Sequence, residues 1–460
     1  MQSAMAPDEE NKNEQGLGPR GRSALIAVLL GVMLSTLDTA IANVALPTIA
    51  ADLHSPAAAA IWVINAYQLA VVATMLPFAA LGDGIGPRRI FLGGLVLFTA
   101  ASGLCMAAGT VELLAAARAF QGIGAGAMMS VNIALIRQIY PPSQLGRGVG
   151  MNALVGSIGF VIGPTVASLL LTAASWPWLF GINVPLGVLA IACAWPTLPS
   201  SPPRPHGFDV ITAALTATSF AALIFALGSM AQLASWAQVL PAVALTLVSG
   251  AALLYRERGH ATPMFPLDLL RRPMFSLSAV TAICAFATQG LAFVSLPFYF
   301  EQALHRDAAH AGYLMSAWPV VVALAAPLAG RLSDRHPPGL LGGIGLALLA
   351  AGMCGLALLP AEPPMPWLVL WMALCGAGFG FFQAPNLKAL MSSAPPHRSG
   401  GASGVIGVVR LLGQASGAAL VALCFHLAGL QHGPVAALAL GGVTAGLAAL
   451  SSFARLRVSH

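Results

Sequence analysis

Gly122-Ile123-Gly124-Ala125-Gly126, followed by Asn132, Pro141-Pro142 and Gly146, returns 254 residues later as Gly376-Ala377-Gly378-Phe379-Gly380, followed by Asn386, Pro395-Pro396 and Gly400. The same offset holds on to Gly159 and Gly163, which are matched by Gly413 and Gly417. A weaker echo pairs Val44-Ala45-Leu46-Pro47 with Val294-Ser295-Leu296-Pro297, at an offset of 250. A Gly-rich chain supplies two or three such matches by accident, but not an ordered run. Two homologous membrane halves around a shared interface is how many secondary transporters are built. The chain therefore reads as a transporter rather than a membrane-bound enzyme.

Composition bounds the class independently. The chain is 58% apolar and 8% charged, against about 25% charged in soluble domains. Apolar runs of ~20 residues, enough to cross about 30 Å of hydrocarbon, recur from end to end. They lie at 24–46, 58–81, 90–108, 112–136, 147–171, 178–197, 210–230, 237–255, 274–298, 310–330, 339–359, 367–391, 402–426 and 434–453. The count is fourteen, or twelve if the least marked pair, 210–230 and 237–255, does not cross. An all-α polytopic membrane protein follows, with two pseudo-symmetric six-helix bundles and two inserted helices.

With the N-terminus inside, 18 of the 21 Lys and Arg residues fall in cytoplasmic segments, from Lys12, Arg20 and Arg22 to Arg455 and Arg457. Only Arg306 falls outside, and Arg118 and Arg410 lie within spans. Positive loops stay cytoplasmic, so both termini are expected inside. Removing the pair of spans over 210–255 leaves that polarity intact, so charge does not decide between twelve and fourteen. These basic loops also account for the net charge of +6 and give a nucleic-acid partner no support.

The expected organisation is a disordered cytosolic tail (1–22), a six-helix bundle (23–199), a Pro-rich linker (200–208), a two-helix insert (209–257), an arginine-bearing linker (258–272), a second six-helix bundle (273–455) and a short tail (456–460). The polar N-terminus has no small-residue cleavage site before the first span, which is expected to act as its own insertion signal. All six cysteines sit in apolar spans without CxxC spacing, so neither a disulfide framework nor a zinc site is suggested. The ten histidines are scattered singly, and no GxxxxGK[ST] phosphate loop occurs. No metal or cofactor is expected. An ion gradient, most simply of protons, is left as the energy source.

Individual motifs carry a family resemblance. Leu37-Asp38-Thr39-Ala40-Ile41-Ala42-Asn43-Val44-Ala45-Leu46-Pro47 resembles the first-span motif of 14-span drug:proton antiporters of the major facilitator superfamily. Arg118-Ala119-Phe120-Gln121-Gly122-Ile123-Gly124 looks like their fourth-span arginine motif, and Gly159-Phe160-Val161-Ile162-Gly163-Pro164 like their fifth-span antiporter motif. Trp176-Pro177-Trp178, continuing to Asn183-Val184-Pro185-Leu186-Gly187, resembles that branch's Trp-Arg-Trp…Asn-Val-Pro-x-Gly signature, with Pro177 in place of Arg. The resemblance is to the EmrB/QacA kind, and within it the YebQ type, over nearly the whole chain beyond residue 22. Departures accompany it. The loop motif after span two keeps Asp83, Gly86, Arg88 and Arg89 but has Ala79 and Gly84 where Gly and Arg are usual. Its second copy keeps Gly330, Leu332, Asp334 and Arg335, then runs into His336-Pro337-Pro338. After Gly163-Pro164, Ala167-Ser168 stands where a Gly-Gly pair is common.

The resemblance implies proton-coupled export of small lipophilic or amphiphilic compounds by alternating access, in a bacterial cytoplasmic (inner) membrane. A dedicated metabolite transporter of the same fold is the main alternative, since fold does not fix substrate; a polytopic enzyme would need converging catalytic side chains that the sequence does not offer. Asp38 is the only carboxylate deep within these spans, where a bare charge costs about 2.5–3.5 kcal/mol on insertion scales. It lies eight residues before Leu46, and Arg118 six residues past Glu112. At 1.5 Å per residue the two sit at similar depths, roughly 12 and 9 Å below the outer face. They can meet across the first bundle, as a proton-coupling pair or as a permanent structural bridge.

Arg410 is the second intramembrane cation, and its counterpart in the first half is Gly156. It either faces the substrate cavity or extends its head to the cytosolic interface. Asn43, Gln121, Asn132, Gln289, Gln383, Asn386 and Gln414 complete the expected polar lining of the cavity. Gly159, Gly163 and Pro164 pack helices closely and are expected to limit proton leak. Asp83, Gly86, Arg88 and Arg89, with Asp334 and Arg335, are candidates for a cytosolic gate, or else solvated loop charges. Trp176 and Trp178 are expected as interfacial anchors. One carboxylate against two guanidinium groups disfavours multivalent cations as substrates. The expected partners are a small-molecule substrate, protons and lipid, with room for a periplasmic adaptor protein.

Overall fold

Lipid offers backbone N–H and C=O groups no partner, so each apolar run must close its own hydrogen bonds. The computed structural model describes residues 18–141, 145–200, 209–231, 236–257, 267–333, 335–360, 362–393 and 399–457, and these contain helices and no strand. The long helices are α1 (Pro19–Asp52), α2 (Trp62–Ile85), α3 (Pro87–Met106), α4 (Val111–Ile139), α5 (Leu145–Ala173), α6 (Pro177–Thr197), α7 (Val210–Ala231), α8 (Trp236–Arg256), α9 (Pro273–Ala303), α10 (Ala308–Leu332), α11 (Pro338–Ala357) and α12 (Met365–Ser393). One further helical stretch, Ser399–Ala454, is interrupted at Gly429, where φ is 71° and ψ −176°.

That last stretch is a hairpin. A Cβ on Gly290 of α9 would lie 2.4 Å from the Gln414 carbonyl oxygen, while Thr288, two residues earlier, hydrogen-bonds Thr444 at 2.8 Å. Gln414 and Thr444 each lie fifteen residues from Gly429. A continuous helix would separate them by about 45 Å, so the chain must double back. We label the legs α13 (399–428) and α14 (430–454). Thirteen helices among the described residues are long and apolar enough to cross a membrane. The hairpin is one of them, so the membrane-length legs number fourteen.

The sequence repeat is a packing repeat. Gly122 and Gly126 of α4 let α2 approach: added Cβ atoms would sit 2.4 Å from the Tyr67 carbonyl oxygen and 2.4 Å from Thr74 Oγ1. Gly124, on the other flank, meets Phe98 and Gly94 of α3. The second copy repeats this: Gly376 and Gly380 of α12 abut Trp318 and Ala325 of α10, and Gly378 abuts Gly345 and Leu349 of α11. Gly159 and Gly163 bring α5 onto Thr36 and Ala40 of α1, as Gly413 and Gly417 bring α13 onto Ile283 and Ala287 of α9. Without a hydrophobic drive between helices in lipid, such close van der Waals approach is what binds them.

The halves meet along two seams. Towards the arginine-poor end, Thr165 of α5 hydrogen-bonds Ser316 of α10 at 2.8 Å, and Ser168 donates to the Ala308 carbonyl at 3.3 Å. Nearer the arginine-rich end, Gly407 of α13 packs on Met75 of α2. The helices α7 and α8 pair through Ser219–Ser249 (2.9 Å), and α7 lies on α2 through Trp62 and Phe225, with ring centroids 5.8 Å apart. At their arginine-rich ends Arg256 grips Asp209 in a forked pair of 3.0 and 3.1 Å. Those Arg256 bonds, with further bonds from Thr212, hold the Asp209 carboxyl well below the usual carboxylate range.

Three expectations need correcting here. Arg455 is no loop charge: it is 1% exposed and donates to Asn386 Oδ1 (2.7 Å), Ser278 Oγ (3.1 Å) and Ser452 Oγ (2.5 Å). Trp176 is not an interfacial anchor but a buried donor to Asp52 at 2.6 Å, whereas Trp178 is exposed. Helix α9 outruns its apolar run and ends in a π-helical turn, Tyr299–Ala303. That turn carries a second acid, Glu301, whose Oε1 is buried without a hydrogen-bond partner.

Candidate functional site

Asp38 and Arg118 meet in the middle of the first bundle, each 1% exposed, with Arg118 Nη1 2.5 Å from Asp38 Oδ2. The helix spacing that puts both at one depth also fixes their company. Gln121, one turn after Arg118, donates to Asp38 Oδ1 at 2.9 Å and to Ser102 Oγ at 2.9 Å, and accepts from Arg118 at 2.6 Å. Asn183, at the head of the second segment of α6, donates to Asp38 Oδ1 at 2.8 Å. Three donors thus converge on one carboxylate. The guanidinium has more than its acid: Nε donates to the Val63 carbonyl at 3.2 Å, and the group lies 4.2 Å from the Tyr67 ring centroid and 5.4 Å from that of Phe180. A buried ion pair with this many satisfied bonds costs far less than either ion alone.

Just beyond the pair, between the halves, lies a small polar cavity. Thr39 and Asn43 of α1, Gln68 of α2, Phe160 of α5, Gln289, Gly290, Phe293 and Val294 of α9 and Gln414 of α13 form its wall. Gln414 donates to Gln289 at 2.8 Å, while Asn43 Oδ1 and Gln68 Oε1 are buried with no hydrogen-bond partner. Phe160 and Phe293, one from each half, stand with ring centroids 5.1 Å apart.

Of the expected lining, Asn43, Gln289 and Gln414 are brought together here. Five residues, Arg410 among them, are not. Gln121 is consumed by the ion pair. Asn132 donates to Asn152 of α5 at 2.7 Å, well towards the arginine-rich end. Asn386 binds Arg455. Gln383 lies on the exposed face of α12, because the neighbouring Phe382 and Asn386 take the inward face. Arg410 is half-buried on α13, one turn from Gln414, and forms no hydrogen bond or ion pair among the described residues.

Gly159, Gly163 and Pro164 sit at the α1–α5 contact, and the Pro164 carbonyl accepts from Ser168. The expected gate is only partly in view. Gly86 turns the chain between α2 and α3 at φ 98°, a left-handed conformation that suits glycine. Arg88 donates to the Trp195 carbonyl at 2.5 Å, inside its own bundle and not across to the other half. Arg89 and Arg335 are exposed. Asp334 lies outside the described residues, as does the Asp83 side chain.

Sequence reasoning missed Gln68, Thr39, Ser102 and Tyr67, common residues whose role depends on which helix face they share. Asn183 was legible only as part of a signature, without its bond to Asp38.

A family model for the Major Facilitator Superfamily matches residues 28–418, with a second match over 277–458. The chain belongs to the major facilitator superfamily. It is 46% identical over 443 residues to the uncharacterized transporter YebQ of Escherichia coli (strain K12), a match covering 95% of this chain and 96% of that one. It is 30% identical over 404 residues to the riboflavin transporter RibZ of Clostridioides difficile (strain 630), covering 87% of each. A probable actinorhodin transporter of Streptomyces coelicolor is 32% identical over 457 residues, covering 93% of this chain and 78% of that protein. This superfamily member is thus a multi-pass membrane transporter of small molecules, and its fold class is the one its repeat implied.

Proposed function

We propose that this transporter exports small amphiphilic compounds in exchange for protons. The observation that carries the proposal is the Asp38 network. Asp38 is the sole carboxylate of the buried cluster, and its cationic partner has alternatives. If Asp38 takes a proton, Arg118 keeps the Val63 carbonyl, Gln121 Oε1 and two aromatic faces. The cost of losing the carboxylate's charge is thereby reduced, so the proton can come and go. The same helix carries the message. Thr39 and Asn43 line the cavity, while Thr36 and Ala40 bear on α5, so a shift of α1 reaches both the substrate and the seam between halves. Similarity to a tetracenomycin C resistance and export protein of Streptomyces glaucescens, 29% identical over 396 residues, supports export. Similarity to a riboflavin transporter supports a second reading, a dedicated metabolite carrier.

Everted membrane vesicles with an imposed pH gradient test the proposal. A gradient-sensitive dye reports proton release as cationic, neutral and anionic amphiphiles are added, for wild type and Asp38→Asn. The expected result is release in wild type for several compounds, abolished in Asp38→Asn. Release by one metabolite alone would favour the dedicated carrier. An unchanged Asp38→Asn response would refute Asp38 as the coupling site.

A further inference from the structure

We infer that Arg410 is the charge-selecting residue of the transport path and that the preferred substrates are aromatic amphiphiles bearing one acidic group. This deepens the export reading and rests on it for the word substrate. Arg410 precedes Gln414 by four residues on α13, so the two share a helix face about 6 Å apart along the axis. On the same face Gly407 packs against Met75 of α2, closing the halves below it. Arg410 therefore stands between the amide-lined cavity and that contact. It is half-buried yet has neither hydrogen bond nor ion pair among the described residues.

Two routine explanations for such a cation fail. Arg410 lies eleven residues into the helix from Ser399, roughly 16 Å along the axis. The membrane-length stretch begins nearer, at Val405, but on the side facing α2 the way to it is closed where Gly407 packs on Met75. Nor is Asp38 its counter-ion, because that carboxylate is engaged by Arg118, Gln121 and Asn183. Among the described residues no carboxylate pairs with it, and an unpaired charge is costly within a membrane protein unless something meets it.

The rest of the cavity describes what would. The Phe160–Phe293 pair offers aromatic faces from both halves. Asn43 Oδ1 and Gln68 Oε1 are buried acceptors awaiting donors. The cavity as it stands has a volume of about 10 Å³, so it is once the halves part that a flat aromatic body with N–H or O–H groups on one edge can satisfy those oxygens. A carboxylate, phenolate or sulfonate one helical turn away pairs with Arg410.

The purified full chain in detergent tests this by equilibrium binding of anthracene-2-carboxylate and its methyl ester, corrected against empty micelles. Wild type is expected to bind the acid at least about tenfold more tightly than the ester, the equivalent of one charge-assisted contact. Arg410→Gln should lower the affinity for the acid by about that factor and leave the ester unchanged. Arg410→Lys should keep part of the preference, which guards against a folding defect in the glutamine variant. Equal binding of acid and ester by wild type, or an unchanged ratio in Arg410→Gln, would overturn the inference. Binding needs no gradient, so failed proton exchange in vesicles would strike the export reading while leaving this charge assignment standing.

Discussion

Breaking the buried pair from each side in turn should reveal how much of the first bundle rests on it. Asp38→Leu strands two donors. Arg118 loses its only acid, and loss of one partner of a buried ion pair costs about 3–5 kcal/mol. Asn183 loses the sole bond of its amide nitrogen, another ~1–3 kcal/mol for a buried unsatisfied group. The Val63 carbonyl, Gln121 Oε1 and the Tyr67 and Phe180 rings remain to Arg118, so a net cost of about 4 kcal/mol is expected. Arg118→Met should cost about 3 kcal/mol, because Gln121 and Asn183 still serve Asp38. The double variant should cost no more than about 2 kcal/mol, since an apolar pair replaces an ion pair at little net loss. The coupling is then near 5 kcal/mol, far above the scatter of independent sites, about 0.5 kcal/mol. The assay is a double-mutant cycle on detergent-solubilised protein, unfolded by denaturant and followed by tryptophan fluorescence. Additive single variants, or an Asp38→Leu cost below about 1 kcal/mol, would mean that water or another group reaches the pair, and the switching argument would fall with it.

Other contacts give sharper local tests. A Cβ on Gly163 would lie 2.3 Å from Ala40 Cβ, so Gly163→Ala should cost about 1–3 kcal/mol by overpacking and depress vesicle transport; Ala40→Gly in the same chain should restore it. Arg455→Ala should leave Asn386 Oδ1 and two serine hydroxyls without their donor, costing about 3 kcal/mol in the same unfolding assay. Asp209 titrates well below the usual carboxylate range because Arg256 and Thr212 bind its ionised form. Its contribution is thus present above the unfolded-state value of about 4 and lost as pH falls through the folded one. The stability gap between wild type and Asp209→Asn should be below about 1 kcal/mol at neutral pH for so exposed a pair, and should close on acidification.

What could be read from residues alone follows what repeats or what lipid forbids. The 254-residue offset gave the two-fold plan because glycine is the only residue that fits at Gly122, Gly124 and Gly126, and their partners meet the same constraint at Gly376, Gly378 and Gly380. Asp38 and Arg118 could be paired by counting depth, since a charge within a span must find an opposite one and helix rise is fixed. Azimuth is the quantity that counting does not supply. Asn386 and Asn132 occupy equivalent places in the repeat, yet one faces Arg455 and the other Asn152, and the inward turn of Arg455 just after α14 is what draws Asn386 away. Gln68 was overlooked for the same reason in reverse. Nothing in its neighbours marks the α2 face that turns towards α9 and α13, and only the assembled halves make it part of a wall. Arg455 looked like one more positive loop residue because hydropathy locates the end of an apolar run, whereas the helix itself ends where its backbone stops being satisfied. The same gap concealed Glu301: the apolar run stops at Phe298, but the helix continues through a π-turn and takes an acid down with it. Polar residues one or two turns beyond an apolar run are therefore where charge bookkeeping by sequence goes wrong: Glu301 lies in the last turn of α9, Arg455 in the turn just after α14, and Asp52, the acceptor of Trp176, at the end of α1.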